Sequence, residues 1–195
     1  MADQIEDLRI ALFDESLEGI RRTGEVWPLG AFLLVGGMID TLAGLRYAPA
    51  NDSDRNQGTR YADFVHAYFD SRYRQLDIGP KLWTGLRCRP LHNFAGGEIV
   101  LADSQPAGSV HLHEAQKGRG ILLCWLDFLA DYTAALQRYW HDVELDSTVR
   151  ANAEQRCERY PPLMVIKVEF SGGVTFPLTF PVTFPVTGAT GYGRP

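Results

Sequence analysis

The chain has 195 residues, of which 45% are hydrophobic and 22% are charged, and its formal net charge is −5. This composition is typical of a soluble globular protein with a sizeable core, and the acidic balance excludes a general nucleic-acid coat protein. Because the chain has no uninterrupted apolar run of about 18 residues and its acidic start does not resemble a secretory signal, we expect a cytoplasmic protein with no membrane partner.

The three cysteines, Cys88, Cys124 and Cys157, are odd in number and widely spaced. They form neither a CxxC pair nor a set with zinc-ligand spacing. The sequence therefore predicts reduced thiols, no metal and no cofactor.

The first part of the chain predicts two helices of different character. Apolar residues recur every three to four positions over 3–22, which is typical of an amphipathic helix. Residues 28–46 are apolar on nearly all sides, so we expect this second helix in the middle of a bundle.

Three glycines and one aspartate of the second helix predict how it packs against its neighbours. Gly36, Gly37 and Gly44 lower helix propensity, and we expect them to allow close approach by a neighbouring helix. Asp40 is the only charged residue of this helix before Arg46. Since a buried carboxylate needs partners, we expect Asp40 to cap a helix or to hydrogen-bond inside the bundle.

Two more helices are predicted after a loop at 49–58. The third runs from about 59 to 73 and has an aromatic face that favours the core, and the fourth opens at the Gly-Pro pair at 79–80. Pro90 removes a backbone donor and constrains the preceding residue. We therefore expect the fourth helix to kink or end between Arg87 and Pro90.

Beyond residue 97 the apolar residues follow a period of two. Residues 98–102 and 109–113 predict the strands of a β-hairpin, with His111 and His113 on one face of its second strand. A His-x-His pair can bind metal, but no further ligands gather by sequence, so no metal site is predicted.

The remainder of the chain predicts a long helix over 119–145 and a shorter one over 147–158. Strand-like residues and a Val/Leu-Thr-Phe-Pro repeat, taken three times, follow the Pro-Pro pair. The tail is either a disordered extension or an arm that lays its phenylalanines on another surface. The predicted fold is an all-α, up-and-down helical bundle over 1–160 with a small β-hairpin appendage, followed by a strand and an extended C-terminal tail over 161–195.

Arg87 and His92 are the residues that most suggest chemistry. A guanidinium binds phosphate and stays charged at any working pH, whereas an imidazole exchanges a proton near neutrality. Residues five apart on an ideal helix diverge by about 140°. A break near Pro90 frees His92 to turn back towards Arg87, so that both can face one cavity. Residues 71–89 hold five basic residues against one acid, which favours either an anionic ligand or a solvated helix face.

Three segments in series resemble the HEPN superfamily (higher eukaryotes and prokaryotes nucleotide-binding domain). They are the Ile-Asp-x-Leu-x-Gly pattern at 39–44, the aromatic helix at 61–68 and the Arg-Cys-x-x-x-His turn within 82–93. The resemblance covers roughly residues 28–140. It implies an up-and-down helical bundle and, as in many members, a metal-independent ribonuclease that acts as a toxin, in phage defence or in RNA processing.

The resemblance also implies roles for individual residues. Members typically dimerise so that two Arg-His motifs face each other in one cleft. Arg87 would then stabilise the phosphate, His92 would be the general acid or base, and Asn93 would orient His92 or bind a phosphate oxygen, unless Asn93 only caps the turn. The implied RNA-binding residues are the neighbouring basic residues Arg74, Lys81 and Arg89.

Two alternatives to catalysis remain at this stage. In the first, the chain is a non-catalytic module that binds RNA, a nucleotide or a partner protein such as an antitoxin. In the second, it is a structural dimer in which Arg87 pairs with an acid and His92 packs in the core. Fold-level resemblance alone does not decide among the three.

Overall fold

Helices dominate the computed structural model, which describes residues 2–47, 57–88, 98–102, 110–115, 118 and 120–160. The expectation of a mostly α-helical fold with a small β appendage is confirmed. The α-helices are α1 (Ala2–Arg9), α2 (Ser16–Val26), α3 (Pro28–Arg46), α4 (Gln57–Tyr68), α5 (Ser71–Gln75), α6 (Ile78–Leu82), α7 (Trp125–Leu145) and α8 (Ser147–Arg159). Two π-helical segments, Ile10–Glu15 and Trp83–Cys88, continue α1 and α6, and the strands are β1 (Ile99–Ala102) and β2 (Ile121–Cys124).

Helix α3 is the centre of the bundle, as predicted. It begins at Pro28, whose missing N–H is no loss at the first helical position. It packs against α2, α4 and α8 and against the segment Trp83–Cys88. Among the described helices, α3 alone is long and apolar enough to cross a membrane, but more than half of it is buried inside the bundle, as is usual for a core helix. The structure is therefore compatible with a soluble protein.

Of the glycines for which close approach was predicted, Gly36 and Gly44 have near neighbours. A Cβ at Gly36 would lie 2.9 Å from the Cβ of Leu86, and a Cβ at Gly44 would lie 3.0 Å from Nη2 of Arg156. Gly37 has open space around it. The expected close approach is thus confirmed at Gly36 and is wrong at Gly37, whereas the neighbour of Gly44 is the end of the flexible Arg156 side chain.

Caps explain where several helices begin and end. The predicted third helix is divided, because the Asp70 side chain accepts a hydrogen bond from the backbone N–H of Arg72 and starts α5. Asp146 caps α8 in the same way through the N–H of Thr148. The first predicted helix extends to Val26, with a π-helical segment in its middle.

The β appendage differs from the predicted hairpin. Strand β1 pairs with β2 in parallel, with Ile99 opposite Ile121. Residues 110–113 form turns instead of a strand, and Leu112 adopts a left-handed conformation at φ 61°. The predicted long helix starts at Trp125 and not at 119, because residues 121–124 belong to the sheet. Both errors come from a pairing that joins segments far apart in sequence, which local periodicity does not reveal.

The predictions for 161–195, which are the strand and the Phe-Pro tail, lie outside the described residues, and so does most of the loop at 49–58. The boundary near residue 160 stays a prediction.

Candidate functional site

Arg87 is carried by the π-helical segment Trp83–Cys88, which packs directly on α3. Leu86 is buried against Gly36, where the absence of a side chain allows the two backbones to approach. On the other side, the rings of Trp83 and Tyr61 lie 5.4 Å apart. Because Leu86 and Trp83 of this segment are both packed, the segment holds Arg87 at a defined position beside α3. Short π-helical segments occur frequently at functional sites.

The Arg87 guanidinium pairs with Asp40 of α3. Nε of Arg87 donates to Oδ2 of Asp40 at 2.8 Å, and the two side chains are 38% and 27% exposed. The expectation that Asp40 has a partner is therefore confirmed, and the pairing of Arg87 with an acid is what the structural-dimer alternative expects. The Arg87 side chain is partly exposed, and among the residues that the structure describes its hydrogen-bond partner is Asp40.

Asp40 also lines a cavity of about 410 Å³. Its wall includes Thr41, Arg60 and Arg156, and Tyr160 stands at its edge. The Arg156 guanidinium lies 5.1 Å from the centre of the Tyr160 ring, a cation–π geometry. The cavity is therefore a polar recess with basic and aromatic groups in its wall, and it shares Asp40 with the Arg87 pair.

This recess was not anticipated from the sequence. Its lining comes from α1, α3, α4 and α8, and these helices are distant along the chain. No spacing in the sequence links Arg60 to Arg156. Only the tertiary packing brings them to the same wall as Asp40.

Two of the predicted RNA-binding residues serve the turn around Asp77. Nη2 of Arg74 donates to the backbone oxygen of His66 at 2.6 Å, and Nζ of Lys81 donates to that of Leu76 at 2.7 Å. Both contacts are exposed. The structure shows a local capping role for both side chains and does not bring either to the Arg87–Asp40 pair.

The other predicted site residues, Arg89, His92 and Asn93, lie outside the described residues, as does Pro90. Helical structure is described as far as Cys88. Whether His92 meets Arg87 across a break in the helix therefore stays a prediction.

A second polar cluster surrounds His111. Its Nδ1 accepts the backbone N–H of Cys124 at 3.1 Å, so the ring proton is assigned to Nε2, which lies 3.1 Å from Oδ2 of Asp131. The hydroxyl of Tyr73 donates to the same Asp131 oxygen at 2.8 Å. Burial, reinforced by Asp131, raises the pKa of Tyr73 well above its ordinary value, so this phenol stays neutral. His111 is buried and His113 is exposed, so the prediction that they share a face is wrong.

Cys124 and Asp127 also belong to this cluster. One potential ligand atom from each of His111, Cys124 and Asp127 lies within 4.8 Å of the others. Burial, with a smaller contribution from Asp127, raises the pKa of the Cys124 thiol, so it is a poor nucleophile in this state. The sequence signal for the three residues was weak, because His111 was assigned to a strand and Cys124 to a helix.

No family model matches this chain, and no match was found among curated proteins or solved structures.

Proposed function

We propose that this protein is a metal-independent endoribonuclease of the HEPN type, acting in the cytoplasm as a toxin or in phage defence. In this proposal it is a homodimer whose two Arg-His motifs form one cleft, RNA is the substrate, and an antitoxin protein is a possible partner. Arg87 and His92 carry the reaction, with Asn93 beside them.

The observation that supports the proposal is the way Arg87 is held. Its Nε donates to Asp40, and the Arg87 side chain is 38% exposed. An arginine anchored at Nε presents the rest of its planar donor group in a set direction, which suits the two oxygens of a phosphate. A cation placed in advance where negative charge develops is an effective form of catalytic stabilisation.

The proposed reaction needs no cofactor, because RNA supplies its own nucleophile. The 2′-hydroxyl oxygen attacks phosphorus and the bond from phosphorus to the 5′ oxygen breaks. His92 takes the proton of the hydroxyl, and the partner subunit's His92 gives a proton to the leaving 5′ oxygen. The products are a 2′,3′-cyclic phosphate and a 5′-hydroxyl. Each positioned proton transfer accelerates such a step by roughly 10²- to 10⁴-fold, and Arg87 stabilises the crowded phosphorus.

The test is cleavage of single-stranded RNA by the purified full chain in excess EDTA, beside DNA of the same sequence. RNA cleavage with cyclic-phosphate ends, identified by mass spectrometry, and intact DNA are expected. Cleavage of both nucleic acids, or 5′-phosphate ends, would contradict the proposal. Slower growth of cells that express the wild-type chain, relieved in His92→Ala, is expected if the protein is a toxin.

A second candidate is a non-catalytic module of the same type that binds RNA, a nucleotide or a protein. The specific observation in its favour is again the Asp40–Arg87 pair, because a neighbouring carboxylate offsets part of the charge that a phosphate would meet. This candidate predicts retention of RNA by the wild-type chain without any cleavage, and a loss of retention in Arg87→Ala.

A further inference from the structure

We propose that His111, Cys124 and Asp127 form a binding site for a zinc-class divalent cation, separate from the Arg87 site. The three residues come from different parts of the appendage. His111 lies in the segment 110–115, Cys124 is the last residue of β2, and Asp127 lies in the first turn of α7. The tertiary fold gathers them, with one potential ligand atom from each within 4.8 Å of the others.

The donor set selects the class of ion. A thiolate, an imidazole and a carboxylate match the preferences of Zn²⁺, whereas Mg²⁺ and Ca²⁺ prefer oxygen ligands only. Ligand atoms around tetrahedral zinc lie about 3.3–3.8 Å apart, given its bond lengths. The potential ligand atoms of His111, Cys124 and Asp127 lie up to 4.8 Å apart, somewhat more than in a zinc site. Small side-chain rotations would bring them to the distances that an ion requires.

The surroundings of His111 also fit a metal ligand. Nε2 lies 3.1 Å from Oδ2 of Asp131, and the Tyr73 hydroxyl, itself 3.0 Å from Nε2, donates to the same oxygen. A histidine ligand usually donates its second ring N–H to a carboxylate in this way, which fixes the tautomer and the ring orientation. Nδ1 is then the ligand atom. When it binds the ion, it gives up the hydrogen bond that it accepts from the backbone N–H of Cys124.

An open cavity of about 330 Å³ reaches His111 and Asp127 of the cluster, whereas Cys124 is buried behind them. His111, Asp127 and Asp131 line this cavity together with Asp70 and Arg72. The cavity supplies a route of entry and room for water as a fourth ligand. Binding converts the Cys124 thiol into a thiolate and releases its proton to solvent, so no oxidant or reductant is required.

The site has a structural consequence for the appendage. It would add a link between segment 110–115, β2 and the start of α7, which backbone hydrogen bonds and the buried side chains of Leu112, Leu123 and Trp125 already hold together. Zinc binding is therefore expected to raise the melting temperature of the protein, because an ion that binds only the folded state stabilises it.

The experiment is a titration of the metal-free full chain with Co²⁺ and Zn²⁺. We expect one equivalent of Co²⁺ to give a thiolate charge-transfer band, and one equivalent of Zn²⁺ to displace it. Cys124→Ser should abolish the band, and Asp127→Asn should weaken binding. Asp131→Asn should weaken binding by roughly 10- to 100-fold, because Asp131 is not a ligand itself but helps to orient the ligand His111.

Matched controls come from the same chain. Cys157→Ser removes another buried free thiol, His113→Ala removes the neighbouring histidine, and Cys88→Ser removes the remaining thiol. All three should bind Co²⁺ as the wild type does. Circular dichroism of each variant separates loss of the site from loss of the fold, and the Co²⁺ band of the wild type needs no variant at all.

Absence of a thiolate band in the folded wild type would overturn the proposal, and so would a band that survives Cys124→Ser. In either case the cluster acts only as a hydrogen-bonded link between His111, Asp131 and Tyr73.

Discussion

Nε of Arg87 lies 2.8 Å from Oδ2 of Asp40, and this contact joins the segment Trp83–Cys88 to the central helix α3. The two residues are 47 positions apart in sequence. The pair fixes one edge of the guanidinium, and Asp40 also lines the recess that contains Arg60 and Arg156.

The stability of this pair can be measured by a double-mutant cycle. We expect a coupling free energy of about 1 kcal/mol between Asp40→Ala and Arg87→Ala in urea unfolding, since both side chains are partly exposed. The matched control is Arg150 and Glu154, an ion pair of similar exposure within α8. That pair should give about 0.3–0.5 kcal/mol, the usual value for neighbours on one helix. A coupling at Asp40–Arg87 no larger than in the control would mean that the pair does not anchor the segment.

Asp40 is expected to act as a positioning residue for Arg87 if the chain cleaves RNA. Asp40→Asn keeps an oxygen that can accept from Nε, so we expect a small loss of activity. Asp40→Ala removes the acceptor and should lower kcat by roughly 10- to 100-fold, with a smaller change in KM, because misplacement of a catalytic group is costly. Equal effects of the two variants would argue against positioning. The melting temperature of each variant shows whether the fold is kept.

Gly36 and Gly37 offer a sharp comparison on adjacent residues of α3. Gly36→Ala should destabilise the protein by about 1–3 kcal/mol, because the added Cβ meets Leu86 at 2.9 Å from its Cβ and 3.1 Å from its backbone oxygen. Gly37→Ala has open space around it and should stabilise the protein by about 0.5–1 kcal/mol through helix propensity. The measurement is chemical denaturation of both variants. If Gly36→Ala were stabilising too, the packing of Leu86 on α3 would be wrong.

Buried tyrosines predict a loss of stability in alkaline solution. Burial raises the pKa values of Tyr68, Tyr73, Tyr132 and Tyr139 above the ordinary value of 10.0. Above about pH 10 the unfolded chain loses these protons and the folded chain keeps them, so the free energy of unfolding falls as pH rises. Below that pH the contribution is fully present. Thermal midpoints recorded from pH 8 to 11 should therefore drop beyond about pH 10, and less steeply in Tyr132→Phe.

The sequence predicted the elements whose signals are local. The span of α3 at 28–46 was read correctly from a long apolar run that opens at Pro28. The bounds of α8 were predicted to within a residue, and in the structure Asp146 caps its start. The strand β2 was missed, because the apolar residues at 121–124 continue the helical spacing of α7. Their pairing with β1 depends on a contact across the chain that periodicity does not contain.

In the candidate site, too, some features follow from local sequence and others depend on tertiary packing. The need of Asp40 for a partner follows from the cost of burying a carboxylate, but its choice of Arg87 depends on how Leu86 packs on Gly36. Likewise, His111 was visible as a possible ligand, whereas its neighbours Cys124 and Asp127 came from a region that was predicted to be helical throughout.

The most direct measurement of the central claim is RNA cleavage in EDTA by four proteins: the wild type, His92→Ala, Arg87→Lys and His113→Ala. We expect cleavage by the wild type, none by His92→Ala and very little by Arg87→Lys, because an ammonium cannot grip two phosphate oxygens at once. His113→Ala should keep most activity, since His113 is an exposed residue of the appendage. Melting temperatures in the same buffer confirm that EDTA leaves each protein folded. Cleavage that survives His92→Ala, or that requires a divalent ion while the wild type is folded, would contradict the assignment.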